Sequence, residues 1–366
     1  MLGLCLGLPL GFMYLFIKLF QLITNRHITR NRLLLILGAM GIALLAAQIT
    51  PPKEWDLFQH YDEIERIRDW GATYAWEKSR YASYYGATAL FYLTSLTPWN
   101  GTLPFLAVFL ELSIYEKIIS HYSEQIDAQS EGICFFLFLA LSNIVLAISG
   151  IRNVLAVVLV NYAIWDYECA KKRYILIDAA IVLFAITIHP ASGILVFIYA
   201  LSYIPLLAVG AGIAILILPV LTNILNDFLS SQNAILSSSA GLFALYTREE
   251  AGLDIRVRIV SAILIIFSII VLFRIIRFQK KKKRYLYFTL LYSLGTLGMI
   301  SQGLIYSRML YGFNILYPII IANKNENVCD SSLNKTIYWY KLYCLFYCVG
   351  MLLFQGYELA RAIIFG

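Results

Sequence analysis

The segment Ser149-Gly-Ile-Arg-Asn-Val-Leu-Ala156 places one arginine, Arg152, between two long apolar runs. These runs cover residues 133–149 and 153–165. A guanidinium group at the centre of a bilayer costs about 2.5–3.5 kcal/mol on insertion scales. Arg152 is therefore expected either at a tight turn on the membrane surface or in a polar cavity.

The composition is that of a membrane protein. Of the 366 residues, 60% are apolar and only 14% are charged, whereas soluble domains carry about 25% charged residues. The apolar stretches are long and unbroken, which is typical of spanning helices and not of the alternating strands of a barrel. The sequence thus predicts an all-α polytopic membrane protein, with residues 1–366 forming a single integral membrane domain.

Basic residues predict the topology. Three short loops, at residues 25–32, 169–174 and 274–284, hold much of the positive charge. Loops of this kind stay in the cytoplasm, so this charge gives no indication of nucleic acid as a partner. With the loops inside, the chain has about twelve spans and Arg152 lies at the outer surface. The predicted spans are residues 2–23, 33–49, 102–119, 133–149, 153–167, 175–188, 191–208, 210–226, 259–276, 286–305, 309–322 and 338–355.

Residues 50–101 are predicted to form a large outer segment of membrane-surface helices. Tryptophans, tyrosines and aliphatic residues recur there at roughly helical spacing, with charged residues between them. Such helices lie at the level of the lipid headgroups. A second outer loop is predicted at residues 227–257, and it carries Arg248.

Three isolated ionisable residues are predicted at helix ends on this outer face: Arg152, His189 and Arg308. Each could simply terminate a span. Guanidinium groups also bind phosphate oxygens bidentately and keep their charge in a low dielectric, so the two arginines suit a phosphate-bearing lipid. His189, which precedes a proline, is either hydrogen-bonded to the backbone or serves as a phosphate contact or proton-transfer group.

A second candidate group opens the surface segment: Asp56, His60, Tyr61 and Asp62. One interpretation is a solvated helix face with ion pairs at helical spacing. The other is that one of the two aspartates acts as a general base on a hydroxyl group. The pairs expected on a solvated face are Asp62–Arg66 and Glu65–Arg68.

Several classes of enzyme lack their signatures in this chain. It contains no Walker lysine loop, no glycine fingerprint for dinucleotides and no His-Glu-x-x-His. These absences argue against a nucleotide-driven pump and against a zinc protease. Four histidines in the whole chain and six cysteines without metal-type spacing argue against a metal site, so no cofactor is predicted.

The run Gly150-Ile-Arg152, followed by Ala156, a basic loop and an apolar helix that ends in His189-Pro190, resembles the EpsG-like group of bacterial polysaccharide polymerases. That group is similar to the Wzy-type polymerases of O-antigen and capsule. The family usually has serine two residues after the histidine, whereas this chain has Ala191 there.

Two shorter motifs add to the resemblance. Arg308-Met-Leu-Tyr311 resembles the late arginine–tyrosine motif of the group. Asp56, followed by His60-Tyr61, resembles its early aspartate–tyrosine segment.

The resemblance implies a GT-C-like glycosyltransferase of the bacterial cytoplasmic membrane, working on the outer face. It would transfer a growing glycan from undecaprenyl diphosphate to a new lipid-linked repeat unit, without a metal or nucleotide sugar. Besides the carrier lipid and the bilayer, a chain-length regulator protein is an expected partner. The implied roles are diphosphate binding by Arg152 and Arg308, acid–base chemistry or phosphate binding by His189, activation of the acceptor by Asp56 or Asp62, and further substrate contacts by His60, Tyr61, Tyr311 and Arg248.

Two other functions are compatible with these residues. A transporter or flippase of lipid-linked oligosaccharide would also need arginines near the headgroups, but it would favour charged residues in the middle of several spans. A glycan ligase would share the polymerase's mechanism and differ in its acceptor.

Overall fold

A computed structural model describes residues 29–51, 53, 55–122, 128–141, 147–148, 150–169, 174–204, 210, 255–278, 283–301, 303–313, 316–322 and 331–365. Regular structure in these ranges is helical, without a strand, so the all-α prediction is confirmed for this part. The predicted span 2–23, the predicted span 210–226 apart from residue 210, most of the predicted loop 227–257 and its Arg248 lie outside the described residues.

The helices of the described residues are named in chain order. They are α1 Thr29–Ala47, α2 Asp56–Glu77, α3 Tyr85–Ser95, α4 Thr102–Tyr122, α5 Ala128–Leu141, α6 Ile151–Cys169, α7 Ile175–Ile188, a 3₁₀ turn Pro190–Ser192, α8 Gly193–Leu201, α9 Ile255–Phe278, α10 Lys283–Gly298, α11 Gly303–Phe313, α12 Tyr317–Ala322 and α13 Ser331–Phe365.

Two helices in the described ranges are long and apolar enough to cross a membrane, at Ile255–Arg277 and Asn334–Phe354. Shorter apolar helices occur at Leu35–Ala47, Ile175–Ile188 and Pro190–Leu201. The predicted total of about twelve spans therefore stays a prediction.

The predicted span 286–305 is interrupted in the structure. Helix α10 ends at Gly298, residues 299–301 form a turn, and α11 begins at Gly303. The backbone carbonyls that this break frees are partly satisfied by Arg258 of α9, whose Nη1 lies 3.5 Å from the carbonyl oxygen of Ile300 and 3.4 Å from that of Ser301. As a result, Arg308 lies inside α11 and not at a helix end as predicted.

The ends of two other predicted segments also differ. The predicted span 309–322 is divided between α11 and α12. Helix α9 includes Ile255, so the last residues of the predicted loop 227–257 are helical.

Within residues 50–101, helices α2 and α3 pack against each other. Helix α2 is amphipathic: Leu57, Ile64 and Ile67 are buried, while the charged residues between them are mostly exposed. Gly71 interrupts α2 with φ 77° and ψ −166°, a region that only glycine adopts readily. Two helical pieces thus meet there at a kink.

Helix α6 lies at the centre of the described bundle. Nearly all its residues are buried, and it packs against α4, α7, α10 and α11. Helix α3 packs against α7. The helices within residues 50–101, called the outer segment after their predicted location, therefore cover the end of the bundle at which α6 begins and α7 ends.

Candidate functional site

Arg152, the second residue of α6, lies against two tyrosine rings of the outer segment. Its guanidinium carbon is 4.2 Å from the ring centroid of Tyr81 and 5.5 Å from that of Tyr84. These are cation–π distances. The buried Nε atom has no hydrogen-bond partner in the described part of the chain. Arg152 thus keeps donor capacity for a ligand.

Tyr81 is held from several sides. Its hydroxyl lies 2.9 Å from Nδ1 of His60, which is only 3% exposed. Thr88 donates a hydrogen bond of 2.6 Å to the Tyr81 carbonyl oxygen, and the Tyr81 ring meets that of Phe91 edge-on at 4.7 Å. The surface beneath Arg152 is therefore formed before any ligand binds.

His60 acts as a neutral hydrogen-bond partner in this site. Burial, followed by the positive charges of Arg152 and Arg80, lowers its pKa to about 3. The imidazole is therefore uncharged at neutral pH. It therefore contacts Tyr81 as an uncharged group.

His189 follows the last residue of α7 and turns the chain into the 3₁₀ turn. Its backbone amide donates to the carbonyl oxygen of Ala185 at 3.0 Å, and its carbonyl oxygen accepts from the amide of Ser192 at 3.0 Å. The side chains are different: His189 Nδ1 and Ser192 Oγ are buried and have no hydrogen-bond partner among the described residues. Buried polar atoms normally find a partner, so this pair indicates a place for a polar ligand.

Two arginines act on the His189 ring. Burial, followed by the charges of Arg152 and Arg308, lowers the pKa of His189 to about 4. Both guanidinium groups are therefore near enough to the imidazole to repel its protonated form. The three side chains thus interact electrostatically, although they come from α6, from the residue after α7 and from α11.

Close helix packing fixes the position of α11. A Cβ atom on Gly312 would lie 2.4 Å from Cγ1 of Val157 in α6 and 2.3 Å from the hydroxyl of Tyr292 in α10. Tyr311 donates a hydrogen bond of 2.7 Å to Oε2 of the buried Glu111 in α4. Tyr311, a candidate substrate contact, thus joins α11 to α4 one turn from Arg308.

Asp56 and Asp62 lie on different sides of α2. Burial lowers the pKa of the Arg152 guanidinium, whereas Tyr81, Tyr84 and the Asp56 carboxylate raise it. The charge of Asp56 therefore acts on Arg152. Asp62 instead forms an ion pair of 2.7 Å with Arg66, and these side chains are 51% and 55% exposed. Asp56 is thus among the charges that act on Arg152, whereas Asp62 is paired with Arg66.

The two predicted ion pairs differ in outcome. The Asp62–Arg66 pair is confirmed. Arg68 instead donates to Asn100 Oδ1 at 2.8 Å, and Asn100 Nδ2 donates to Glu65 Oε1 at 2.7 Å. Asn100 thus lies between Glu65 and Arg68 and ties α2 to the start of α4.

Tyr61 lies next to His60 but has a different environment. Its hydroxyl is buried and has no hydrogen-bond partner in the described ranges. Burial raises its pKa to about 12. It is therefore a protonated hydrogen-bond donor at neutral pH.

The connection between α2 and α3 was not among the candidate sites predicted from the sequence. Arg80, Tyr81 and Tyr84 all face Arg152 or its neighbours. A basic residue followed by several tyrosines in a surface segment was a signal that could have identified them.

A glycine permits the outer segment to approach His189. A Cβ atom on Gly86, in the first turn of α3, would lie 2.6 Å from Oγ1 of Thr187 and 2.9 Å from the backbone nitrogen of Ile188. The backbone atom cannot rotate away. Residues 86 and 188 therefore set the distance between α3 and the end of α7.

We expect Gly86→Ala to destabilise the protein and to lower its activity. Overpacking of this kind costs about 1–3 kcal/mol, and it separates the outer segment from His189. Thermal unfolding in detergent measures the loss. The control is Gly132→Ala in α5, where a Cβ atom meets nothing within 4 Å. Equal melting temperatures for both variants would contradict the close packing of α3 on α7.

Comparison with known proteins identifies the family. The EpsG family profile matches residues 91–359, a range that contains Arg152, His189 and Arg308 and most of the chain. Comparison with curated proteins and with solved structures gives no match. The apolar helices and the family match agree that this is a membrane protein of polysaccharide biosynthesis, and the chain belongs to the EpsG family.

Proposed function

We propose that this protein is a polysaccharide polymerase of the bacterial cytoplasmic membrane. It transfers a growing glycan from undecaprenyl diphosphate to a lipid-linked repeat unit on the outer face, within a GT-C-like bundle of about twelve spans. The observation that supports the proposal is that the charges of Arg152 and Arg308 both act on the half-buried His189, whose buried Nδ1 has no partner among the described residues. A chain-length regulator protein is proposed as a partner.

The reaction requires charge stabilisation at the leaving group. The bond between the anomeric carbon and the diphosphate oxygen breaks, and negative charge grows on the diphosphate. Arg152 and Arg308 stay charged at every physiological pH and donate forked hydrogen bonds to phosphate oxygens. Donors placed in advance around a developing anion lower the barrier most.

The acceptor requires a base. The acceptor hydroxyl forms the new bond to the anomeric carbon and loses its proton. Asp56 is the carboxylate whose charge reaches Arg152, and it is exposed at the start of α2, where an acceptor sugar can enter. Asp56 is therefore proposed as the base.

His189 is proposed as a phosphate ligand. Because its pKa is about 4, the ring is neutral at neutral pH and one of its nitrogens carries a hydrogen. A neutral imidazole can donate that hydrogen to a phosphate oxygen while the arginines supply the positive charge.

One observation favours transport as a second candidate function. Glu111 is 1% exposed in the middle of α4, and its Oε1 has no hydrogen-bond partner in the described part of the chain. Ionisable groups inside membrane helices often mark substrate or proton pathways. A flippase of lipid-linked oligosaccharide would use such a group.

Surface glycans from a strain that lacks the protein separate these functions. For a polymerase, gels should show single repeat units at the surface and no long chains, and the wild-type gene should restore the ladder. Loss of all surface repeats would indicate a flippase. Long chains that remain on the carrier lipid would indicate a ligase. Either of the last two results would contradict the polymerase proposal.

A further inference from the structure

The connection between α2 and α3 brings a further arginine to the site. The guanidinium carbon of Arg80 lies 5.7 Å from the ring centroid of Tyr81, and that of Arg152 lies 4.2 Å from the same centroid. The two side chains come from positions far apart in the sequence. A single tyrosine ring therefore has two guanidinium groups next to it.

The charge of Arg80 acts on Arg152, and like charges repel each other in a partly buried site. Of the nearby carboxylates, Glu63 is buried and accepts a hydrogen bond of 3.1 Å from the backbone amide of Arg80. Asp56 is exposed to solvent. A multiply charged anion between the arginines would offset their repulsion better than these two carboxylates do.

We infer that Arg80 is a further diphosphate-binding residue, which acts with Arg152 across the ring of Tyr81. The inference rests on the proposed function and extends it, because it adds a third arginine from the outer segment to the two from the bundle. Arg80 is exposed, whereas Arg152 is half-buried. Arg80 therefore meets the charged headgroup at the mouth of the site, and Arg152 binds it deeper.

Arg80 is also held in place before a ligand arrives. Its Nη1 donates to Oε1 of Gln59, and its backbone amide donates to Glu63. Ser79, the residue before it, donates a hydrogen bond of 2.6 Å to the carbonyl oxygen of Ala75. A side chain that is already ordered loses less conformational entropy on binding. A guanidinium group has five N–H donors, so the bond to Gln59 leaves donors for phosphate.

The charge of Arg80 is directed into the site. Although the side chain is exposed, its positive charge lowers the pKa of the buried His60. Burial and the charge of Arg152 lower that pKa more strongly. An ordinary surface arginine, such as Arg66, instead pairs with a neighbour on its own helix. Arg66 is therefore a matched control for Arg80.

The test is the affinity of the purified full-length protein for undecaprenyl diphosphate in lipid nanodiscs, with undecaprenol as the ligand without phosphate. Hydrogen bonds to charged groups are strong, so we expect Arg80→Ala to weaken diphosphate binding roughly 10-fold to 100-fold. It should also reduce the salt dependence of binding and leave undecaprenol binding unchanged. Arg80→Lys keeps the charge but loses the fork, so its affinity should be intermediate. Arg66→Ala should bind like the wild type.

Three results would contradict either the inference about Arg80 or the proposed function, and each can be distinguished from the other two. If Arg152→Ala weakens binding while Arg80→Ala does not, the inference about Arg80 fails and the proposed function stands. If Arg66→Ala and Arg80→Ala weaken binding equally, the effect is general surface charge and the inference also fails. If neither Arg80→Ala nor Arg152→Ala changes the affinity, diphosphate binding at this site fails altogether. The melting temperature of each variant verifies that it is folded. If Arg80→Ala does not fold, Arg80→Lys is used for the test instead.

Discussion

Arg152→Ala should eliminate long glycan chains from a complemented strain and lower kcat/KM of the purified protein about 100-fold to 1,000-fold. Removing one donor that stabilises a developing oxyanion has an effect of this size. Arg152 is the central group of the site, because it touches Tyr81 and Tyr84 and its charge reaches both His60 and His189. Gel analysis of the surface glycan and the initial rate of polymerisation both measure the loss.

Two variants distinguish loss of chemistry from loss of packing. Arg284 of α10 lies over the ring of Tyr203 at 4.6 Å, so Arg284→Ala removes the same kind of cation–π contact far from Arg152 in the chain. It should retain the full ladder. Arg152→Lys keeps the charge without the planar fork and should retain only a small part of the rate. A full-length ladder from Arg152→Ala would show that the site has been misassigned.

Local patterns in the sequence predicted the helices around the site well. The span 175–188 was predicted from an apolar run between a basic loop and His189-Pro190, and α7 has the same bounds. Proline ended the helix as expected, because it cannot continue one. The segment 153–167 corresponds to α6, which begins two residues earlier and therefore includes Arg152.

The helix break between α10 and α11 was missed, although glycine and polar residues are signals of such a break. Residues 298–303 (Gly-Met-Ile-Ser-Gln-Gly) contain no proline, but they carry a glycine at each end and the polar residues Ser301 and Gln302. The turn depends on tertiary contacts, in particular the hydrogen bonds from Arg258 to the carbonyl oxygens of Ile300 and Ser301. Such contacts join residues more than 40 positions apart.

The residues of the candidate site were likewise predicted only in part. The sequence supplied Arg152, His189, Arg308 and Asp56 as separate candidates, because each is an isolated polar group at the edge of an apolar run or at the start of a surface helix. The loop with Arg80 was not singled out in spite of its tyrosines, because its contact with Arg152 arises only in the folded protein. The sequence also did not distinguish Asp56 from Asp62. Their helical spacing places them on different sides of α2, but it does not show which side packs against the bundle.

Asp56→Asn should lower kcat about 100-fold to 10,000-fold, the range typical of a lost general base. Asparagine has nearly the same size and keeps an oxygen acceptor, but it cannot take up the proton of the acceptor hydroxyl. Asp62→Asn is the matched control on the same helix, and it should change kcat less than about 2-fold, because it breaks only an exposed pair of low energy with Arg66. The ratio of the two rates is measured with the same purified preparation and a lipid-linked repeat unit.

The affinity for the diphosphate lipid gives a second measurement that a structural defect would not reproduce. Because Asp56 places a negative charge near Arg152, Asp56→Asn leaves the site more positive. Binding of undecaprenyl diphosphate should therefore be retained or become slightly tighter while kcat falls. A parallel fall in affinity and rate would assign Asp56 to the folding of α2 and not to catalysis. A large effect of Asp62→Asn, with Asp56→Asn unaffected, would mean that the opposite face of α2 meets the acceptor.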